Sequence, residues 1–129
     1  MRSLRLSKVW LMSGWFMVCM LIYQSLNPSP PELPEFPLAD KMAHFLIYAG
    51  IMLWFGFIYK PGGRYLILGL ILILLGVILE ILQGASGYRC MEVSDASFGS
   101  LGVFAGWLLA RTRLSSTLLL TERLIYRDR

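Results

Sequence analysis

The stretch YLILGLILILLGVILEIL, Tyr65–Leu82, decides the fold, because Glu80 is its only charged residue. A run of about 18 residues is long enough to cross a hydrocarbon core of ~30 Å as a helix. In this chain of 129 residues, 57% are hydrophobic. A soluble domain this small has too little interior to bury so much apolar surface. The sequence therefore predicts an integral membrane protein.

Three more apolar runs resemble the first in length, at residues 9–26, 42–59 and 93–110. With 65–82 they predict an all-α fold, a bundle of four transmembrane helices in one domain over residues 1–111. A proline-rich segment, 27–39, and a Pro-Gly-Gly turn, 60–64, separate the first three runs. The first run is predicted to be a span rather than a cleaved signal peptide. It is long for a signal sequence, and no A-x-A-like site follows it.

The basic residues predict the orientation of the bundle. Of the 12 Lys and Arg residues, only Lys41 and Arg89 fall on one side of the predicted membrane, and the other ten fall opposite. The positive-inside rule therefore predicts cytoplasmic termini at both ends. The net charge of +4 is explained by orientation, so no nucleic-acid partner is predicted. Residues 112–129 predict a basic amphipathic helix on the cytoplasmic surface, with a solvated, partly disordered end as the alternative.

Acidic, basic and imidazole groups gather at the outward ends of the predicted spans. Asp40, His44 and Tyr48 are spaced i, i+4, i+8 and so share one helix face. A carboxylate one turn from an imidazole can orient it. The alternative for Asp40 is a simple N-cap, and the alternative for His44 is a solvated interfacial side chain.

Glu80 and Gln83 share a helix face near the end of the third span. An ionisable group inside a membrane is costly and usually faces the bundle interior. Glu80 therefore needs a partner from another segment, for which Lys41, His44 and Arg89 are the available choices. The alternative is that Glu80 is only a structural tie between helices.

Arg89 and Asp95 complete the outward groups. The guanidinium of Arg89 suits bidentate binding of carboxylate or phosphate. Asp95 opens the fourth span, where capping is its alternative role. It continues into a line of small residues, Gly99, Gly102 and Gly106, that predicts close packing against another helix and makes an oligomer possible.

The predicted ligand-binding residues are Asp40, Lys41, His44, Tyr48, Glu80, Gln83, Arg89 and Asp95. No catalytic residue is assigned, although His44 and Glu80 are candidates for acid–base chemistry. A divalent metal held by Asp40, His44, Glu80 and Asp95 lacks a diagnostic ligand spacing, so no metal and no cofactor are predicted.

The pattern Asp40-Lys41-x-x-His44-Phe45-x-x-Tyr48, then Glu80-x-x-Gln83, Arg89, and Asp95 with Gly102 and Gly106, resembles the VanZ-like family. The resemblance covers residues 40–106. It implies a multi-pass protein of the bacterial cytoplasmic membrane, related to proteins associated with resistance to the glycopeptide teicoplanin. The chain departs from the pattern at Gly99, where VanZ-like sequences often have Asn. The polar role of that Asn is either lost or carried by Ser97 or Ser100.

Two functions are predicted from different classes. The first is binding of a polar or charged group at the outer membrane face, such as a lipid head group, a cell-wall precursor or a glycopeptide. The second is an enzyme that acts on an outer-leaflet lipid-linked or cell-wall precursor substrate by His/Glu acid–base chemistry. Transport ranks behind both, because the inner halves of the predicted spans are almost wholly apolar.

Overall fold

The computed structural model describes residues 4–29, 38–87 and 91–125. Every element in these ranges is helical, which confirms the all-α prediction. The helices are α1 (Ser7–Leu26), α2 (Ala39–Ile58), α3 (Gly63–Ser86), α4 (Val93–Leu109) and α5 (Thr117–Ile125), with a single 3-10 turn (Arg113–Ser116) before α5.

Three of these helices, α1, α2 and α3, are long and apolar enough to cross a membrane. α4 has 17 residues and is therefore about 26 Å long. α4 reaches the length of a span only together with the segment Arg113–Ile125, from which it is bent by 71°. The structure thus has three membrane-crossing helices by length and composition, and four if this bent pair counts as one.

The observed helix ends differ from the predicted ones at the polar residues. The N-cap of α2 is Leu38, which has a left-handed backbone (φ 69°), and the N-cap of α4 is Glu92. Asp40 and Asp95 therefore lie within the first turns, and their interpretation as N-caps is wrong. α3 continues beyond the predicted Leu82 to Ser86, and Gly87, with φ 74°, ends it.

α4 packs closely against α2 because glycines line its buried face. A Cβ atom at Gly102 would overlap the carbonyl oxygen of Phe45, and one at Gly106 would lie 2.5 Å from that of Ala49. Gly99 is buried in the same interface, so the predicted close packing of this line is confirmed. Since α2 of the same chain covers the line, the suggestion that it forms an oligomer contact gains no support.

The bundle has a small interior and a large apolar outer surface. Met52, Phe55, Ile58 and Tyr65 are fully buried, and the Tyr65 hydroxyl donates a 2.8 Å hydrogen bond to the Met52 carbonyl oxygen. Large apolar side chains are exposed on every spanning helix, for example Phe16, Leu46, Ile67, Leu70 and Leu74. Exposure of so much apolar surface to water is unfavourable, whereas lipid tails would cover it. The fold is therefore compatible with association with membrane lipids.

A buried acid that sequence analysis missed fastens α5 to the start of α1. Glu122 accepts backbone N–H groups of Arg5 and Leu6 at 2.7 and 3.0 Å and the indole N–H of Trp10 at 2.8 Å. Leu118 of α5 is also buried. These contacts hold α5, which is helical over 117–125, against the start of α1. Residues 126–129 of the predicted tail lie outside the described residues. The location of α5 on a membrane surface stays a prediction.

The Glu122 contacts predict a pH-dependent stability. Burial works against ionisation of Glu122, but the bonds from Trp10, Leu6 and Arg5 hold its pKa below the ordinary 4.5. A depressed pKa adds stability that is present above the ordinary value and is lost as pH falls through the folded value. Glu122→Gln should therefore lower the Tm at neutral pH by about 3 °C. This deficit should shrink below pH 4.5, and thermal unfolding of both proteins in detergent measures it. A deficit that does not change with pH would show that the charge of Glu122 is irrelevant.

Candidate functional site

The candidate site lies at the end of the bundle away from Glu122, where α1 and α3 end and α2 and α4 begin. We call this region the polar end. Its described residues are Asp40, Lys41 and His44 of α2, Glu80 and Gln83 of α3, Asp95 of α4, and Glu92 just before α4. Arg89, the second predicted outer cation, lies outside the described residues.

Lys41 joins α2 to the start of α4 through two carboxylates. Its Nζ lies 2.7 Å from Glu92 Oε2 and 3.5 Å from Asp95 Oδ1. The hydrogen bond from Lys41, with a second from the Ser94 hydroxyl, holds the pKa of Glu92 below its usual value. Glu92 was not among the predicted site residues. The sequence could have indicated it, because Glu92 directly precedes the fourth apolar run. The start of α4 then places Glu92 beside Lys41.

The hydrogen-bond partner of His44 is the backbone of Asp40, whereas the sequence predicted its carboxylate. His44 Nδ1 lies 2.9 Å from the Asp40 carbonyl oxygen and 4.0 Å from Asp40 Oδ1. A carbonyl oxygen only accepts, so Nδ1 must be the donor. In the neutral ring, Nε2 therefore carries the lone pair and is available to a proton, a ligand or a metal.

Asp95 is the most enclosed acid beside Lys41. Only 6% of its side-chain surface is exposed. Its Oδ1 atom is buried and makes no hydrogen bond, although Lys41 is near enough for an ion pair. Asp40, His44 and Asp95 each offer a ligand atom within 4.8 Å of the other two. The structure thus brings together three predicted site residues from two helices.

Glu80 lies deeper, and its hydrogen-bond partner in the described residues is neither Lys41 nor His44; the third predicted partner, Arg89, lies outside these residues. It is 3% exposed, and its Oε1 accepts the backbone N–H of Glu92 at 2.8 Å. In the described part of the chain, no ion pair joins Glu80 to Lys41 or His44. Glu80 therefore ties α3 to the start of α4, where a carboxylate also suits the positive end of the helix dipole.

Gln83, about one turn further along α3, likewise connects two helices. It is 4% exposed, and its Nε2 donates a 2.7 Å hydrogen bond to the carbonyl oxygen of Ser25 near the end of α1. Buried amides of this kind usually have a partner and contribute about 1 kcal/mol each. Gln83 therefore positions α1 against α3 and lies apart from the ion pairs of Lys41.

Tyr48 is buried between two glycines, Gly76 and Gly99. A Cβ atom at Gly99 would lie 3.2 Å from Tyr48 Cδ2, and one at Gly76 would lie 3.0 Å from the Tyr48 hydroxyl oxygen. An Asn at position 99 would therefore displace the tyrosine ring. The hydroxyl groups of Ser97 and Ser100 both donate to carbonyl oxygens of their own helix.

The fold and this geometry define a small helical protein with membrane-length helices and a partly buried cluster of charged side chains at one end. No protein-family model, no curated protein and no solved structure matches the chain. The resemblance to the VanZ-like family, carried by the residues quoted above, stays a prediction.

Proposed function

We propose that the protein is a VanZ-like integral membrane protein of the bacterial cell envelope whose polar end binds an anionic group at the outer face of the cytoplasmic membrane. The observation that carries this proposal is the convergence of Lys41, His44 and Asp95 at one end of an otherwise apolar bundle. Charged groups at the end of an apolar membrane bundle are costly, and they are usually functional. The VanZ-like resemblance links this binding to teicoplanin resistance.

The distribution of basic residues supports an outward polar end. In the described ranges, the ends opposite to Lys41 carry Arg5, Lys8, Lys60, Arg64 and Arg111. Basic residues concentrate on the cytoplasmic side of membrane proteins. Both termini then lie in the cytoplasm.

The end of α4 supports its assignment as a fourth span. The guanidinium of Arg111 lies 3.6 Å from the centre of the Trp107 ring. Tryptophan and arginine are typical anchors at the membrane–water interface. We therefore place this pair at the inner interface and α5 along the inner surface.

Lys41 is the residue best placed to meet an anionic ligand. Its side chain is 21% exposed, and that of its partner Glu92 is 51% exposed. Exposed ion pairs contribute little to stability, so the ammonium can exchange Glu92 for another anion at little cost. A lipid phosphate, the diphosphate of a lipid-linked cell-wall precursor and the carboxylate of a glycopeptide share the required anionic oxygens.

Binding is favoured over the enzymatic alternative. In the described residues, no hydrogen bond or ion pair joins His44 to Glu80. Glu80 is buried and accepts a backbone N–H, which suits a structural acid better than a general acid. Lys41 and His44 remain accessible without any such chemistry.

Native mass spectrometry of the full chain tests the proposal. Phosphatidylglycerol, a polyprenyl-diphosphate cell-wall precursor and teicoplanin would be offered separately, which distinguishes the three sources. Retention of one of them should weaken about tenfold in Lys41→Met, as expected for loss of one charge-assisted contact. Lys60→Met is the matched control, because Lys60 is an exposed lysine at the other end.

Two outcomes would contradict the proposal. One is that none of the three ligands is retained by the unmodified protein. The other is that Lys41→Met and Lys60→Met weaken retention equally, since the binding would then depend on overall charge and not on the polar end.

A further inference from the structure

We infer that Asp40, His44 and Asp95 form a binding site for a divalent transition-metal ion, for which Zn²⁺ is the appropriate probe. Asp40 and His44 lie one turn apart on α2, and Asp95 faces them from the first turn of α4. The site does not depend on the anionic ligand proposed above. It differs from the four-residue set considered from the sequence, because Glu80 binds a backbone N–H group of Glu92.

The spacing of the three side chains suits one small cation. Their ligand atoms all lie within 4.8 Å of one another. The ligands of a tetrahedral zinc ion are about 2.0–2.2 Å from the metal and thus about 3.4 Å from one another. The side chains would therefore need to approach one another further, and side-chain rotation between staggered conformers is the simplest way to do so.

The unsatisfied oxygen of Asp95 points to a cation. Oδ1 of Asp95 is buried without a hydrogen bond, and a bound ion is one of the few explanations for such an atom in a folded protein. Lys41 Nζ lies 3.5 Å from this oxygen but only 2.7 Å from Glu92 Oε2. When a metal ion binds Asp95, Lys41 can keep its shorter contact with Glu92 and give up the longer one with Asp95.

The donor set favours a transition metal over calcium or magnesium. Metal-bound histidines commonly donate their other ring N–H to a carbonyl or carboxylate oxygen. His44 Nδ1 already has this bond to the Asp40 carbonyl, which leaves Nε2 for the metal. One imidazole with two carboxylates suits zinc or manganese, whereas Ca²⁺ and Mg²⁺ prefer oxygen ligands alone.

Calorimetric titration of the full chain with ZnCl₂ tests the site. The protein should carry no polyhistidine tag, and both cysteines should be replaced by serine, because the thiol of exposed Cys19 is a competing zinc ligand. We expect one zinc ion per chain and weaker binding of Ca²⁺ and Mg²⁺. His44→Ala and Asp95→Asn should each weaken zinc binding about tenfold or more.

The Lys41→Met variant distinguishes loss of the metal site from loss of folding. Removing the competing ammonium from beside Asp95 should tighten zinc binding several-fold, which a misfolded chain would not do. The same substitution should weaken the retention of anionic ligands, so the two proposals make opposite predictions for one variant. The metal site is refuted if the cysteine-free chain shows no saturable zinc binding. Equal zinc affinity in the cysteine-free chain and in its His44→Ala and Asp95→Asn variants would refute it too.

Discussion

Replacing Gly102 or Gly106 with alanine is expected to destabilise the bundle by about 3 kcal/mol or more, at the upper end of the usual effect of overpacking. At Gly102 the added Cβ would overlap the Phe45 carbonyl oxygen, and at Gly106 it would lie 2.5 Å from the Ala49 carbonyl oxygen. Both obstacles are backbone atoms, so no side-chain rotation relieves the clash. α2 and α4 must move apart, and the contacts along their interface are lost together.

Gly50→Ala is the matched control for these substitutions. Gly50 lies on α2, and nothing is within 4 Å of a Cβ atom built there. Alanine in an open helical position is better than glycine by about 0.5–1 kcal/mol. Thermal unfolding in detergent should therefore give a lower Tm for Gly102→Ala and Gly106→Ala and an unchanged or higher Tm for Gly50→Ala. Similar values for all three would mean that the close approach of α2 and α4 is not needed for stability.

The same substitutions should also disturb the polar end. Asp95 lies two turns from Gly102 along α4, a distance of about 10.5 Å. Lys41 and Asp95 belong to the two helices that the alanine separates, and their atoms are already 3.5 Å apart. A wider gap would weaken both this ion pair and the metal site. Loss of zinc binding should therefore accompany the loss of stability in Gly102→Ala, whereas Gly50→Ala should retain both.

The helices were predictable because their apolar length is a property of the sequence alone. The apolar run Tyr65–Leu82 and the three other apolar runs predicted the long helices, and the spacing of Gly99, Gly102 and Gly106 predicted the packed face of α4. The helix ends were less predictable. Hydrophobicity marks where a helix meets lipid, but the backbone bonds of α3 continue through polar residues as far as Ser86. The fourth span also stayed ambiguous, because α4 is short and the chain bends after it.

The contacts of the buried acids could not be predicted by pairing opposite charges. Glu80 binds the backbone N–H of Glu92, and Glu122 binds backbone N–H groups of Arg5 and Leu6. Backbone donors carry no sequence signal, and every helix start offers several of them without partners. The sequence therefore indicated that Glu80 needs a partner, but it did not identify the partner. Lys41 instead forms its ion pairs with Glu92 and Asp95.

Replacing Glu80 with alanine is expected to destabilise the protein by about 1–3 kcal/mol, the cost of leaving a buried donor without its acceptor. The effect should centre on the start of α4, because Glu80 Oε1 accepts the Glu92 N–H at 2.8 Å. Glu80→Gln retains a side-chain oxygen at the same position. It should therefore keep most of the stability, and it loses only the interaction of the charge with the dipole of α4, which is worth about 0.3–1 kcal/mol.

Hydrogen exchange at the start of α4 separates these two contributions. Backbone amides of residues 92–96 should exchange faster in Glu80→Ala, while those at the far end of α4, near Trp107, should be unaffected. If Glu80→Gln exchanges as fast as Glu80→Ala, the charge stabilises α4 and the hydrogen bond does not. If Glu80→Ala changes neither exchange nor the Tm, Glu80 is not a structural tie. A functional role would then be the remaining explanation for a buried acid in this apolar helix.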